Sequence, residues 1–275
     1  YMALPLPSIL GGNTAAAGRF SYWAAEPVEI FEHRVGQPQP LERLDATLSK
    51  YRMPEKTQYT WPQAMFCGGW IGYFSYDLSR FIERLPVTTV DDLNMPLIRL
   101  SFYDRVIAYD RQAQCWWLLA LQLSNDSQGV HSKLSTLREQ LSQAQHAKLV
   151  LPAPGAIDDI DMRSVTSNMS KSDYLQSLAR IRDYIYAGDT YQINFSQRFS
   201  LPFDKATSTL YHWQNTYNPS AYAAYLSWPG IAIVSASPEM FLTVTAGQIS
   251  TTPIKGTRPR LIDKQDTQAD TRALN

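Results

Sequence analysis

Two residues late in the chain could work as a chemical pair: Glu239 in Ser237-Pro238-Glu239, and Lys255 in Pro253-Ile254-Lys255-Gly256-Thr257. A carboxylic acid can protonate a leaving group, and a neutral amine can attack carbon. Buried together, Glu239 and Lys255 would be an acid and a nucleophile. Exposed on neighbouring strands, they would be an ordinary cross-strand ion pair. Both readings stay open from the chemistry of these residues alone. Upstream, Gly188-Asp189-Thr190-Tyr191-Gln192-Ile193-Asn194 and Ser196-Gln197-Arg198-Phe199 add amide, hydroxyl and guanidinium groups in the same half of the chain.

Other chemistries find less support. Gly68-Gly69-Trp70-Ile71-Gly72-Tyr73 is glycine-rich, but no Lys-Ser or Lys-Thr follows it, so close backbone packing or a bulge explains it better than a phosphate loop. His33, His131, His146 and His212 are widely separated and form no metal-ligand spacing. Cys67 and Cys115 sit in apolar, strand-like contexts without a C-x-x-C, which reads as buried thiols in a reducing cytoplasm. The 25 basic residues equal the 25 acidic ones, and no basic run is present, which argues against nucleic acid. The 7 tryptophans and 16 tyrosines therefore read as core rather than as a base-stacking surface. No apolar stretch approaches the roughly 20 residues needed to cross a bilayer, so no membrane role is expected.

These residues must be positioned by a sizeable fold, and 44% apolar content over 275 residues is ample for one. Aromatic and β-branched runs predict strands over 19–23, 66–76, 98–109 and 115–121, with 110–114 as a hairpin loop. Leu41, Leu44 and Leu48 mark one amphipathic helix, and Leu134, Leu137 and Leu141 a second. Pro152, Pro154 and Gly155 make 148–168 read as a connector, giving a first region 1–160 and a second 161–275. In the second, Ser170 with Asp173 predicts a helix N-terminus, Tyr174, Leu178, Ile181 and Ile185 its apolar face, and Gly188 its C-terminal cap. Strands are expected over 191–199, 221–228, 231–235, 240–245 and 248–253, with a short helix near 208–215. The fold class is α+β, mainly antiparallel.

The ordered series G-D-x-Y-Q, S-Q-R-F, S-P-E and P-I-K-G-T resembles the chorismate-utilising enzymes, and the likeness extends upstream through Gly18-Arg19-Phe20-Ser21 and Gly68 to Asp77. It implies an anthranilate synthase component I-like fold, with antiparallel sheets packed as a sandwich and flanking helices, incomplete at the C-terminus because both ends read as cuts. In that family, enzymes that add water carry a lysine where this chain has Gln192, so the resemblance implies a site for ammonia. At Lys255 the anthranilate synthases have alanine and the aminodeoxychorismate synthases lysine, so Lys255 points to the second branch. Anthranilate synthase chemistry and a non-catalytic module that binds a partner or tryptophan are the alternatives.

The resemblance further implies that Glu239 protonates the departing C4 hydroxyl of chorismate while the Lys255 amine adds at C2, with Gln192, Gly256 and Thr257 binding substrate. It implies Mg²⁺ held by residues of a later segment, none of them in this chain, and ammonia from a separate glutamine amidotransferase subunit. Some relatives bind tryptophan at a Leu-Leu-x-Ser element, which here reads Ile9-Leu10-Gly11-Gly12 and lacks the serine; Asn218-Pro219-Ser220-Ala221-Tyr222 keeps part of the second element. One geometric expectation follows. A two-residue turn at Ala246-Gly247 pairs Glu239 with Ile254 and sends Lys255 to the opposite face. A shared pocket therefore predicts an irregularity between Gln248 and Lys255, bringing the two groups within about 6 Å.

Overall fold

The structure, a computed structural model, describes residues 4–12, 18–52, 65–88, 90–124, 126, 128–144, 151, 153, 162–245 and 247–254. In chain order its elements are β1 (Ser8–Leu10), β2 (Phe20–Ala24), β3 (Glu29–His33), α1 (Pro40–Ser49), β4 (Gly69–Phe74), β5 (Ile98–Tyr103), β6 (Arg105–Asp110), β7 (Cys115–Ala120) and α2 (Val130–Ala144). There follow β8 (Thr166–Ser167), α3 (Lys171–Ala187), β9 (Phe199–Ser200), α4 (Thr207–Tyr217), β10 (Tyr222–Trp228), β11 (Ile231–Ser237), β12 (Met240–Thr245) and β13 (Gln248–Thr252).

Every strand pair is antiparallel. One sheet has the order β11-β10-β1-β2-β6-β7 and a second has the order β3-β5-β4. Side chains from both meet in one cluster, with Ala24, Val106 and Leu226 from the first sheet and Ile71 and Tyr103 from the second. Full burial of Val106, Leu226 and Ile71 contributes about 1.5–3 kcal/mol each. The Tyr103 hydroxyl donates to the Leu6 carbonyl at 2.7 Å, tying β5 to the entry of β1. Leu44 of α1 packs with Phe31, Leu78, Leu97, Ile98 and Leu100, whereas Leu41 and Leu48 of the expected face are exposed.

The run 98–109, expected as one strand, is two. The chain leaves the three-stranded sheet after Tyr103 and enters the six-stranded sheet at Arg105, pivoting on the buried Asp104. Lys133 of α2 explains why a charged residue is tolerated there: its buried ammonium lies 2.7 Å from Asp104, pairs with Asp126 and donates to the Leu121 carbonyl at 2.9 Å. The glycines around β4 serve close approach, as expected. A Cβ on Gly68 would stand 2.9 Å from the Tyr103 carbonyl oxygen, and Gly68 has φ 130°.

The chain divides into two compact units, Tyr1–Ala147 with Asn218–Asn275, and Lys148–Tyr217. The segment from Asn218 groups with the first unit rather than with the residues just before it. β10 lies between β1 and β11, with Ser8 opposite Leu226 and Tyr225 opposite Val234, so β10 and β11 build on the first sheet. In the other unit α3 has its expected caps: the Ser170 side chain accepts from the Asp173 N–H at 3.1 Å, and Gly188 takes φ 81°. Leu178 and Ile185 of its apolar face are exposed, and none of its residues is buried. Residues 191–199 are not a strand; only Phe199 and Ser200 pair, with Ser167 and Thr166.

Among the described residues no helix is long and apolar enough to cross a membrane. Both cysteines are free and half-buried rather than fully buried, and burial pushes the Cys67 thiol up to about 11.

Candidate active site

Glu239 sits between β11 and β12, where the chain passes from the large sheet into a separate two-stranded ribbon. The Ser220 hydroxyl donates to the Ser237 carbonyl, and the Ser237 hydroxyl donates to the Glu239 carbonyl at 3.1 Å. The Glu239 carboxylate accepts the backbone N–H of Ile254 at 3.1 Å. Half-buried and bonded to the backbone just after β13, this carboxyl group lies beside the segment leading to Lys255.

The ribbon is irregular, but on the other strand from the one expected. Thr245 pairs with Gln248, Val244 with Ile249 and Thr243 with Ser250, and then Met240 with Thr252, so β12 takes three steps where β13 takes two. The extra residue is in Phe241-Leu242, and the Thr251 hydroxyl donates to the Phe241 carbonyl at 2.6 Å across the bulge. One step beyond the last pair, Glu239 falls opposite Pro253 instead of Ile254. Proline has no N–H to give to a ladder, and the pairing ends there.

Gln192 belongs to the other unit. It is exposed on the irregular stretch after α3, with its carbonyl accepting from the Thr190 hydroxyl at 3.1 Å. The Ser196–Phe199 motif is held in the same unit: the Arg198 N–H donates to the Asn168 side chain at 2.9 Å and the Asn168 N–H to the Arg198 carbonyl at 3.1 Å. Lys255, Gly256 and Thr257 lie outside the described residues, and so does the expected distance between Glu239 and Lys255. Among the described residues no three His, Cys, Asp or Glu side chains gather as metal ligands. The Mg²⁺ implied by the resemblance finds no ligand set among them.

A second feature lies at the joint of β1, β2 and β10. A cavity of about 480 Å³ is lined by Leu10, Gly11, Phe20, Tyr22, Tyr222 and Ala224, with Arg19 at its wall. The Arg19 guanidinium makes a forked pair with the buried Asp110, at 2.7 and 3.0 Å. Those hydrogen bonds, with the N–H groups of Ala113 and Gln112, hold the Asp110 carboxyl at about 2 despite its burial. Arg111 donates to the Gly18 carbonyl at 2.9 Å and also reaches the Gly12 carbonyl. None of these partners was legible as a site in the sequence, since Arg19 and Asp110 are 91 positions apart. The missing serine has a steric explanation. A Cβ on Gly12 would stand 1.5 Å from the Ser220 carbonyl oxygen, so no side chain fits.

Residues 12–275 match the chorismate binding enzyme family. The chain belongs to that family. It is 29% identical over 263 residues to aminodeoxychorismate synthase component 1 of Bacillus subtilis, covering 90% of this chain and 54% of the relative. It is 30% identical over 209 residues to anthranilate synthase component 1 of Acetivibrio thermocellus, covering 74% and 42%. The fold is similar to that of anthranilate synthase component I from Streptococcus pneumoniae, with a TM-score of 0.67 at 22% identity over 85% of this chain and 53% of the other. The chain thus spans about half the length of the curated relatives it matches. The sandwich of antiparallel sheets read from the motifs is the fold it has.

Proposed function

We propose that the chain supplies the first half of an aminodeoxychorismate synthase component I, which converts chorismate and ammonia to 4-amino-4-deoxychorismate. The observation that carries the reading is the Glu239 carboxylate fastened to the Ile254 N–H, one residue before Lys255.

In the proposed reaction the Lys255 amine forms a bond at C2 of chorismate, the ring double bonds shift, and the C4–O bond breaks. Glu239 gives its proton to the departing oxygen, which leaves as water. Ammonia then bonds at C4, the double bonds shift back, the C2–N bond to Lys255 breaks to return the neutral amine, and the new C4 ammonium gives a proton back to the Glu239 carboxylate. Two displacements replace one difficult exchange. The first step needs a protonated Glu239 and a neutral Lys255. In water that arrangement lies about 8 kcal/mol above the ion pair, a gap that burial of both groups narrows. Gln192, Gly256 and Thr257 are proposed to bind substrate, with ammonia from a glutamine amidotransferase subunit and Mg²⁺ held by residues other than those described.

The test uses chorismate, ammonium, Mg²⁺ and added aminodeoxychorismate lyase. The 275-residue chain alone is expected to form no product. The same chain fused to the second half of the Bacillus subtilis relative is expected to yield 4-aminobenzoate. Anthranilate as the product would turn the reading to anthranilate synthase, and turnover by the unfused chain would overturn the division of the site. A second reading concerns the cavity at β1, β2 and β10, whose apolar lining and volume favour an indole ring such as that of tryptophan. Tryptophan is expected to raise the Tm of the chain, and no shift at millimolar concentration would refute it.

A further inference from the structure

The chain leaves the six-stranded sheet two residues before Glu239. Ser237 is the last residue of β11 and pairs with Tyr222, the first of β10. Pro238 follows, and without an N–H it cannot extend the ladder toward Glu239. Two serine hydroxyls bridge that gap. Ser220, buried two residues ahead of β10, donates its hydroxyl to the Ser237 carbonyl. The Ser237 hydroxyl donates in turn to the Glu239 carbonyl at 3.1 Å. Ser220 is itself held in place. Its carbonyl accepts the Ala223 N–H at 3.4 Å, and a Cβ on Gly12 would stand 1.5 Å from that oxygen, so the end of β1 lies directly against it.

We propose that Ser220 is a positioning residue for the Glu239 carboxyl group, acting through Ser237. The Ser220 bond fixes the end of β11, and the Ser237 bond fixes the backbone from 237 to 239. The Glu239 carboxylate, launched from that backbone, then meets the Ile254 N–H at 3.1 Å. Displacing a reacting group by about 1 Å costs up to about a hundredfold in rate, so the two hydroxyls matter to the reaction out of proportion to their share in the fold. The inference rests on the role of Glu239 as the acid proposed above, but not on which amine is made.

The experiment follows Glu239 in two ways. In the 275-residue chain with isotope-labelled isoleucine, the Ile254 amide resonance reports whether the carboxylate is in place, and Glu239→Ala gives the position for its loss. Ser220→Ala and Ser237→Ala are each expected to move that resonance toward the Glu239→Ala position. In the fused enzyme each is expected to lower kcat about tenfold or more, with KM for chorismate held within about twofold. The double variant should lose no more than the worse single one, because the two bonds act in series. On a Glu239→Gln background neither change should lower the residual rate further. An Ile254 resonance that neither variant moves, or a further loss on the Glu239→Gln background, overturns the proposal. Ser237→Ala keeps the backbone pairing with Tyr222, so it decides the matter if Ser220→Ala does not fold. A displaced resonance with unchanged kcat upholds the positioning and refutes Glu239 as the acid.

Discussion

Restoring the serine of the family's Leu-Leu-x-Ser element, by Gly12→Ser, is expected to damage the sheet rather than improve a binding site. The added Cβ would stand 1.5 Å from the Ser220 carbonyl oxygen and 2.7 Å from its carbon, where ordinary contact begins at 3.4 Å. The end of β1 and the segment before β10 must therefore separate by about 2 Å, a shift of the kind that overpacking imposes at about 1–3 kcal/mol. Between them run the Gly11 N–H to the Ala223 carbonyl at 2.8 Å and the Gly12 N–H to the Ala221 carbonyl at 3.4 Å. Losing both adds about 1 kcal/mol each. β1 cannot yield toward β2 without disturbing Ile9, which is almost fully buried. The sum, about 3–5 kcal/mol, is a large part of the stability of an ordinary domain. Urea unfolding followed by tryptophan fluorescence measures it, with Gly129→Ala as the control. A Cβ at Gly129 meets nothing within 4 Å, and its effect should stay within about 0.5 kcal/mol. A Gly12→Ser protein as stable as the parent would refute the close approach of residues 12 and 220.

In the fused enzyme Lys255→Ala should abolish most amination while leaving the unfolding transition in place, and parental activity would return anthranilate-type chemistry. Lys133→Met, which leaves the Asp104 carboxylate buried without its ammonium, should cost about 3 kcal/mol in urea unfolding; a loss under 1 kcal/mol would show that the pivot does not depend on the pair. His33 is buried with its Nε2 unpartnered, and burial, aided by Arg43, lowers its pKa from 6.5. The unfolded chain then takes up the proton first, so stability falls as pH drops below 6.5 toward the folded value, and His33→Gln should flatten that slope. Asp110 has the opposite chemistry but the same direction. Its folded value of about 2 lies below the ordinary 3.8, so its stabilisation is present above 3.8 and is lost as pH falls through 2. Asp110→Asn should remove part of the acid sensitivity in that window.

What the sequence determined by itself was local or periodic. The α3 caps at Ser170 and Gly188 were legible because capping joins residues three or four apart. β2, β4, β7 and β10 were legible because aromatic and β-branched residues gather in strands. Motif order indicated the family and placed Glu239 at the mouth of a hairpin. Pairing was not legible. The stretch 191–199 has a strand's composition, yet that composition measures fit to a pleated surface, and only its last residue found a partner. The buried Asp104 at the break is paired with Lys133 of a later helix, and Arg19 found Asp110 across 91 positions. The bulge on β12 in place of β13 reversed the face opposite Glu239, because one inserted residue changes the side to which every following residue points. Tertiary structure also carried β10 back between β1 and β11, closing the cavity that composition alone could not announce. These are contacts between distant segments, whose geometry is set by what packs and pairs with what after the chain has folded.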